Sequence, residues 1–207
     1  MQTPRARFAW LWLLVAGGLA LGLAFWFDAA VVDWIARHQS RGARELMRSV
    51  SRWGDWPSHI IVGIVCAAIA YARDKQRLFR VFVAMILACA IAGMAARVIK
   101  VAAGRSRPSV QVDVGWNGPR LSSKYHAFPS GHTAASTAFF VTLAFFSWRA
   151  GAALAVIPLL IALSRMYVRA HHLSDVVFAA LIGVAVALAI SRSAFLTKTA
   201  TPAETRT

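Results

Sequence analysis

Long apolar runs alternate with short, cation-rich segments along the chain, and that alternation organises the rest of the reading. After a short basic stretch, Met1–Arg7, the run Phe8–Phe27 is nearly continuous apolar sequence of about 20 residues, enough to cross a bilayer. A cleaved signal peptide fits less well, because its apolar core is roughly 7–15 residues long. The run closes on Phe25-Trp26-Phe27, which suits an aromatic belt at the membrane interface. Further runs follow at Ser58–Tyr71, Val81–Ala103, Thr133–Trp148, Ala150–Leu163 and Leu173–Ile190. The pattern predicts an all-α fold, a polytopic membrane bundle of six transmembrane helices. Residues 1–191 read as a single membrane-embedded domain and 192–207 as a polar tail expected to be disordered.

Asp28–Trp56 departs from the pattern. Arg37, Arg41, Arg44, Arg48 and Arg52 recur at steps of four, three, four and four, which on a helix makes one cationic stripe. Ile35, Leu46, Met47 and Val50 fall on other faces. This predicts an amphipathic helix in the membrane interface, its basic side on lipid headgroups. Gly54-Asp55-Trp56-Pro57 ends it.

Composition agrees with a membrane protein: 58% of the 207 residues are hydrophobic, with a mean hydropathy of +0.57. The net charge is +15, from 23 Lys plus Arg against 8 Asp plus Glu. Those cations lie between apolar runs, where they meet anionic headgroups and set topology, so the implied partner is the lipid bilayer and not nucleic acid. The short loop Ala72–Arg80 carries Arg73, Lys75, Arg77 and Arg80. Positive-inside places that loop in the cytoplasm and the loops after the first, third and fifth runs on the opposite face. In a bacterial-type cell this is a multi-pass inner-membrane protein with those loops extracytoplasmic. Cys66 and Cys89 both fall inside apolar runs and read as buried free thiols. No cysteine cluster suggests zinc and no acidic cluster suggests magnesium. The oligomeric state is not encoded in any pattern here.

Three polar clusters, each at the end of an apolar run, supply the chemistry. The first is Lys100, six residues, then Arg107-Pro108. The second is Pro129-Ser130-Gly131-His132, and the third is Ser164-Arg165, five residues, His171, three residues, Asp175. All three map to one face of a six-span bundle. Ionisable groups at membrane depth are costly and mark a working site. Lys100, Arg107 and Arg165 are the cations a phosphate needs, arginine as a two-pronged fork and lysine as a point charge. Gly131 lets the backbone come close, and the Ser130 hydroxyl and first-turn amides of the following helix can face an anion. His171 and Asp175 are four apart and share a helical face; His172 is three from Asp175 and fits the same geometry. A carboxylate on one ring nitrogen leaves the other free to attack phosphorus, while His132 protonates the leaving oxygen and then activates water. The cations take the place of a metal in this scheme. Arg97 reads as a snorkelling span-end cation, and Arg105, Lys124 and Arg169 as solvated loop cations. His126 and His172 read as interfacial, with Trp116 and Tyr125 as residues at the lip of the site.

Lys100–Asp175 resembles the three signature motifs of the type-2 phosphatidic acid phosphatase family, whose superfamily also holds glucose-6-phosphatase and the vanadium haloperoxidases. The resemblance implies phosphate binding by Lys100, Arg107, Ser130, Gly131 and Arg165. It implies His171 as nucleophile, oriented by Asp175, and His132 as general acid. It also implies a metal-independent enzyme with no cofactor, a lipid phosphatase acting on a membrane lipid phosphate. A phosphotransferase with the same phosphohistidine is the alternative, followed by a non-catalytic transporter or scaffold, which needs none of these three residues. A haloperoxidase fits poorly, because this small chain lacks the large soluble body of those enzymes.

Overall fold

A computed structural model describes residues 4–192, with side chains from residue 14 onward. Eight α-helices account for most of the described residues: α1 Pro4–His38, α2 Arg41–Trp53, α3 Trp56–Ala72, α4 Gln76–Ala103, α5 Gly131–Phe146, α6 Trp148–Leu154, α7 Val156–Tyr167 and α8 Leu173–Ser191. Side-chain caps fix several starts. The Ser40 hydroxyl accepts from Ala43 N at the head of α2, and the Asp55 carboxylate accepts from Trp56 N at the head of α3. His172 and Asp175 form a reciprocal capping box at the head of α8. Gly104 ends α4 with φ at +57°, and a side chain there would put its Cβ 1.7 Å from the Gly118 carbonyl oxygen.

The centre of the bundle is α4, α5 and α8. They meet through Ala88, Ala92, Ala96, Ala134, Ala138 and Ala179, all fully buried. Small side chains let helix backbones approach closely where lipid outside is as apolar as the interior. Gly183 shows how close: a Cβ there would lie 2.7 Å from Thr137 Cβ and 2.8 Å from the Ala134 carbonyl oxygen. Large apolar side chains point outward instead, among them Leu19, Leu23, Ile61, Val62, Leu159 and Leu163. That distribution is the one expected when the surrounding solvent is hydrocarbon.

Of the six expected spans, the described helices bear out four or five by length and apolarity. Four helical segments are long and apolar enough to cross a membrane, Leu14–His38, Gln76–Ala103, Trp148–Tyr167 and Leu173–Ser191. A fifth exists if α2 and α3, bent by 49°, count as one broken span. The run expected as a fourth span forms α5, only 16 residues. That is about 24 Å of helix, short of the roughly 30 Å hydrocarbon layer. Its first half is buried among its neighbours, so its apolarity serves the core.

The segment 28–56 also differs from expectation. Asp28–His38 is not the start of an interfacial helix but the last three turns of α1. The remaining arginines do share the amphipathic α2, with Arg41, Arg48 and Arg52 exposed. That helix packs on α7: Ser40 N donates to the Tyr167 hydroxyl and Gln39 to the Tyr167 carbonyl. The polar tail from residue 193 lies outside the described residues.

Candidate active site

Five helix ends converge at one end of the bundle: the carboxyl ends of α4 and α7 and the amino ends of α3, α5 and α8. Ser130 N donates to the Asp175 carbonyl at 3.1 Å, tying the start of α5 to α8. Lys100 Nζ stands 3.7 Å from where a Gly131 side chain would begin, so glycine keeps the ammonium close to the backbone. Arg107, Arg165 and Arg97 all act electrostatically on Lys100. The three motifs are therefore one site, as their spacing suggested.

His171 is 2% exposed and sits in the turn between α7 and α8. Its Nδ1 lies 2.5 Å from the Ala127 carbonyl oxygen. A carbonyl can only accept, so Nδ1 carries the hydrogen and Nε2 keeps its lone pair. Burial pushes the imidazole well below the ordinary histidine range, to about 3, helped by the charges of Lys100 and Arg165 and opposed by Asp175. It is a neutral base at any ordinary pH.

Asp175 is fully buried, and its bonds are spread over several partners. It approaches His171 Nδ1 at 3.7 Å, beyond a hydrogen bond. Its shorter contacts are with His172, at 2.7 Å to the backbone N and 3.1 Å to Nδ1, and with Arg105 Nη1 at 2.5 Å. His172 thus caps α8 with the same carboxylate, while the charges of Lys100 and Arg165 bear on His171.

Arg105 is where the sequence reading needs its largest correction. Read as a solvated loop cation, it is 8% exposed. Its Nη2 donates to Asp28 Oδ2 at 2.7 Å, while Nη1 donates to Ser174 Oγ at 2.7 Å and to Asp175. Asp28 also accepts from Ser174 N at 2.8 Å and Ser174 Oγ at 2.6 Å. The guanidinium lies over the rings of Phe25 and Trp116, 5.4 and 5.0 Å from their centroids. Trp116 is thereby part of this support as well as half-exposed. His126, read as interfacial, is buried with Nε2 2.8 Å from the Arg120 carbonyl oxygen. Asp28 carried a signal that could have been used: it is a carboxylate at the end of an apolar run, where an ionisable group needs a partner.

The phosphate-binding candidates are less fully paired. Arg165 Nη1 donates to Ser51 Oγ at 2.5 Å, which ties α2 to the site. The Nε atoms of Arg107 and Arg165 are buried with no hydrogen-bond partner. Burial also pushes the Arg107 guanidinium below its usual value. Ser130 is fully buried and its Oγ accepts from Thr133 Oγ1 at 2.9 Å, leaving its own hydrogen to donate. The first-turn amides of α5 lack intrahelical acceptors, and of these Thr133 N is capped by the Ser130 hydroxyl.

His132 opens onto a cavity of about 510 Å³ between α3 and α4. Lys100, Gly131, Asp55 and Arg97 share its polar end, and Trp56, Cys89, Ala90 and Met94 line the rest. The cavity is therefore two-sided, one end lined by two cations and a carboxylate and the other by apolar side chains.

A family model described as the PAP2 superfamily matches residues 77–198. The chain belongs to the PAP2 superfamily. The matched residues contain all three motifs, while Asp28 and Asp55 precede them. No curated protein matches the chain significantly in sequence. Among solved structures, it is similar to the first transmembrane PAP2-type phosphatidylglycerolphosphate phosphatase from Bacillus subtilis, with a TM-score of 0.67 at 18% identity over 92% of this chain and 95% of that one. It is also similar to LpxE from Aquifex aeolicus, with a TM-score of 0.57 at 16% identity over 81% of this chain and 96% of that one. At these identities the likeness establishes the fold, that of a multi-pass membrane protein of the PAP2 superfamily.

Proposed function

We propose that the protein is a metal-independent membrane lipid phosphatase that hydrolyses a lipid phosphomonoester or pyrophosphate through a phosphohistidine at His171. The observation that carries this reading is the Nδ1–H of His171 committed to the Ala127 carbonyl, which leaves Nε2 as a nucleophile among Lys100, Arg107 and Arg165. In the first step Nε2 attacks phosphorus, the P–N bond forms and the bond to the leaving oxygen breaks. His132 gives its proton to that oxygen, and Lys100, Arg107, Arg165, Ser130 and the first-turn amides of α5 hold the phosphoryl oxygens. In the second step water gives a proton to His132 and its oxygen to phosphorus, the P–N bond breaks and inorganic phosphate leaves. Fixed cations supply the charge neutralisation throughout. The cavity between α3 and α4 suits a leaving group that carries a hydrocarbon chain. Prenyl pyrophosphates, phosphatidylglycerophosphate, phosphatidic acid and lipid A phosphates all have that form. The basic loop between α3 and α4 favours an inner-membrane orientation with the site on the extracytoplasmic face.

The test is phosphate release by the purified full chain in detergent with EDTA, across those four lipid classes, with His171→Ala alongside. Release by the wild type and not by the variant is the expected result. Release only when an acceptor lipid is added would make the protein a phosphotransferase, and no reaction in either format would leave a transporter or scaffold.

A further inference from the structure

Asp55 lies outside the three motifs and outside the residues matched by the family. Its carboxylate nonetheless stands beside the general acid of the proposed reaction, with Oδ1 3.6 Å from His132 Nε2. We propose that Asp55 is a positioning residue for this reaction, its carboxylate favouring the protonated ring of His132 and aiming it at the leaving oxygen. The inference rests on the phosphatase reading of the site.

The chemistry of the first step creates the need. His132 must hold a proton until the P–O bond breaks, and the proton then leaves with the alcohol or phosphate as the P–N bond to His171 forms. The groups acting on His132 come from every side: Lys100 from α4, Arg165 from α7, His59 from α3 and Asp55 from the bend between α2 and α3. Burial first, then the charges of Arg165 and Lys100, push the imidazole below the ordinary histidine range, to about 4, and Asp55 is the carboxylate that pulls the other way. The separation is longer than a hydrogen bond, as is common for acid–base groups before substrate binds. Asp55 is also held in place. Its side chain caps α3 through Trp56 N at 2.9 Å, and its carbonyl accepts from Ser58 N at 3.1 Å with His59 Nδ1 at 3.1 Å. It shares the wall of the cavity with His132, Gly131 and Lys100.

Two variants separate charge from capping. Asparagine caps helices about as well as aspartate, so Asp55→Asn removes the charge and keeps the start of α3, whereas Asp55→Ala removes both. The pH profile of kcat/KM is measured for the full chain in detergent micelles, with phosphatidic acid and with 4-nitrophenyl phosphate. The His132 imidazole of the free protein is titrated in parallel by nuclear magnetic resonance. Asp55→Asn is expected to move the His132 midpoint and the alkaline limb of the profile down by about one pH unit. Turnover of the alkyl ester should fall about tenfold near neutral pH. The nitrophenyl ester, whose leaving group needs little protonation, should lose less than about twofold. An unmoved midpoint, or equal losses on both esters, overturns the proposal, because a purely structural role would act on both alike. Wild-type protein that releases no phosphate from any lipid of the panel would instead overturn the phosphatase reading, and the proposed role of Asp55 falls with it.

Discussion

The two histidines of the site live in opposite surroundings. His171 is sealed: a backbone carbonyl fixes its ring, and Asp175, Arg105, Ser174 and Asp28 form a buried chain of bonds behind it. His132 lines a cavity, 23% exposed at its side chain, with a half-exposed carboxylate at 3.6 Å as its nearest acidic neighbour. In the proposed reaction the nucleophile must attack along one line, so its orientation is fixed in advance at the cost of burying charge. An acid that gives up a proton and takes one from water must admit both the leaving group and the water. Rigidity and access are therefore split between the two ends of one site.

The sharpest way to break that division is at the nucleophile. His171→Ala is expected to lower phosphate release by roughly 10⁴-fold or more. Substantial residual turnover in the same assay would remove His171 from its role. His132→Ala should cost about 10²–10⁴-fold on lipid substrates. It should also let a phosphoenzyme accumulate on an ester with a good leaving group, detectable by phosphate labelling that acid removes, because the acid's second task of activating water is lost too.

Stability should separate the two ends in the reverse sense. Arg105→Ala leaves Asp28 and Asp175 buried without their shared cation, which is expected to cost about 3–5 kcal/mol in thermal or denaturant unfolding in detergent. Asp55→Asn, at the open end, is expected to leave the unfolding midpoint in place. Equal losses at the two positions would erase the contrast between a sealed and an open side.

The smallest effect is on pH dependence of stability. The folded protein holds His171 neutral down to about pH 3, whereas the unfolded chain protonates it from about 6.5. The unfolded state therefore binds the extra proton, and stability falls as pH drops through that window, by about 1 kcal/mol per pH unit from this group. Unfolding midpoints between pH 7 and 5 would show it, and His171→Ala should flatten the slope.

Much of this molecule could be read from local pattern. The runs that became α4, α5 and α8 were visible because each is a long apolar stretch closed by loop residues or a polar motif. Lys100, Arg107, Ser130, Gly131, His132, Arg165, His171 and Asp175 stood out because ionisable or small residues interrupt apolar sequence at those ends. Span counting is least secure where burial by protein and burial by lipid look alike in sequence. The run of α5 is apolar because helices surround it, and its 16 residues do not reach across the hydrocarbon layer unaided. The first apolar run stops eleven residues short of the end of α1, because Asp28 and the aromatic trio before it resemble a membrane boundary.

The sequence by itself determined that the chain is a helical membrane protein with three clusters of cations and histidines at the ends of its apolar runs. Apolar length, charge placement and motif spacing are properties of neighbouring residues, and they survive without coordinates. The tertiary structure decided which charges are partners. Asp28 meets Arg105 across 77 positions of chain, and His171 meets Ala127 across 44. Asp55 reaches His132 from the bend between α2 and α3, outside the three motifs. Those pairings depend on how α1, α3 and α8 pack around α4 and α5. The reason is electrostatic: a charge in a low-dielectric bundle is tolerated only beside its counter-charge, wherever along the chain that counter-charge lies.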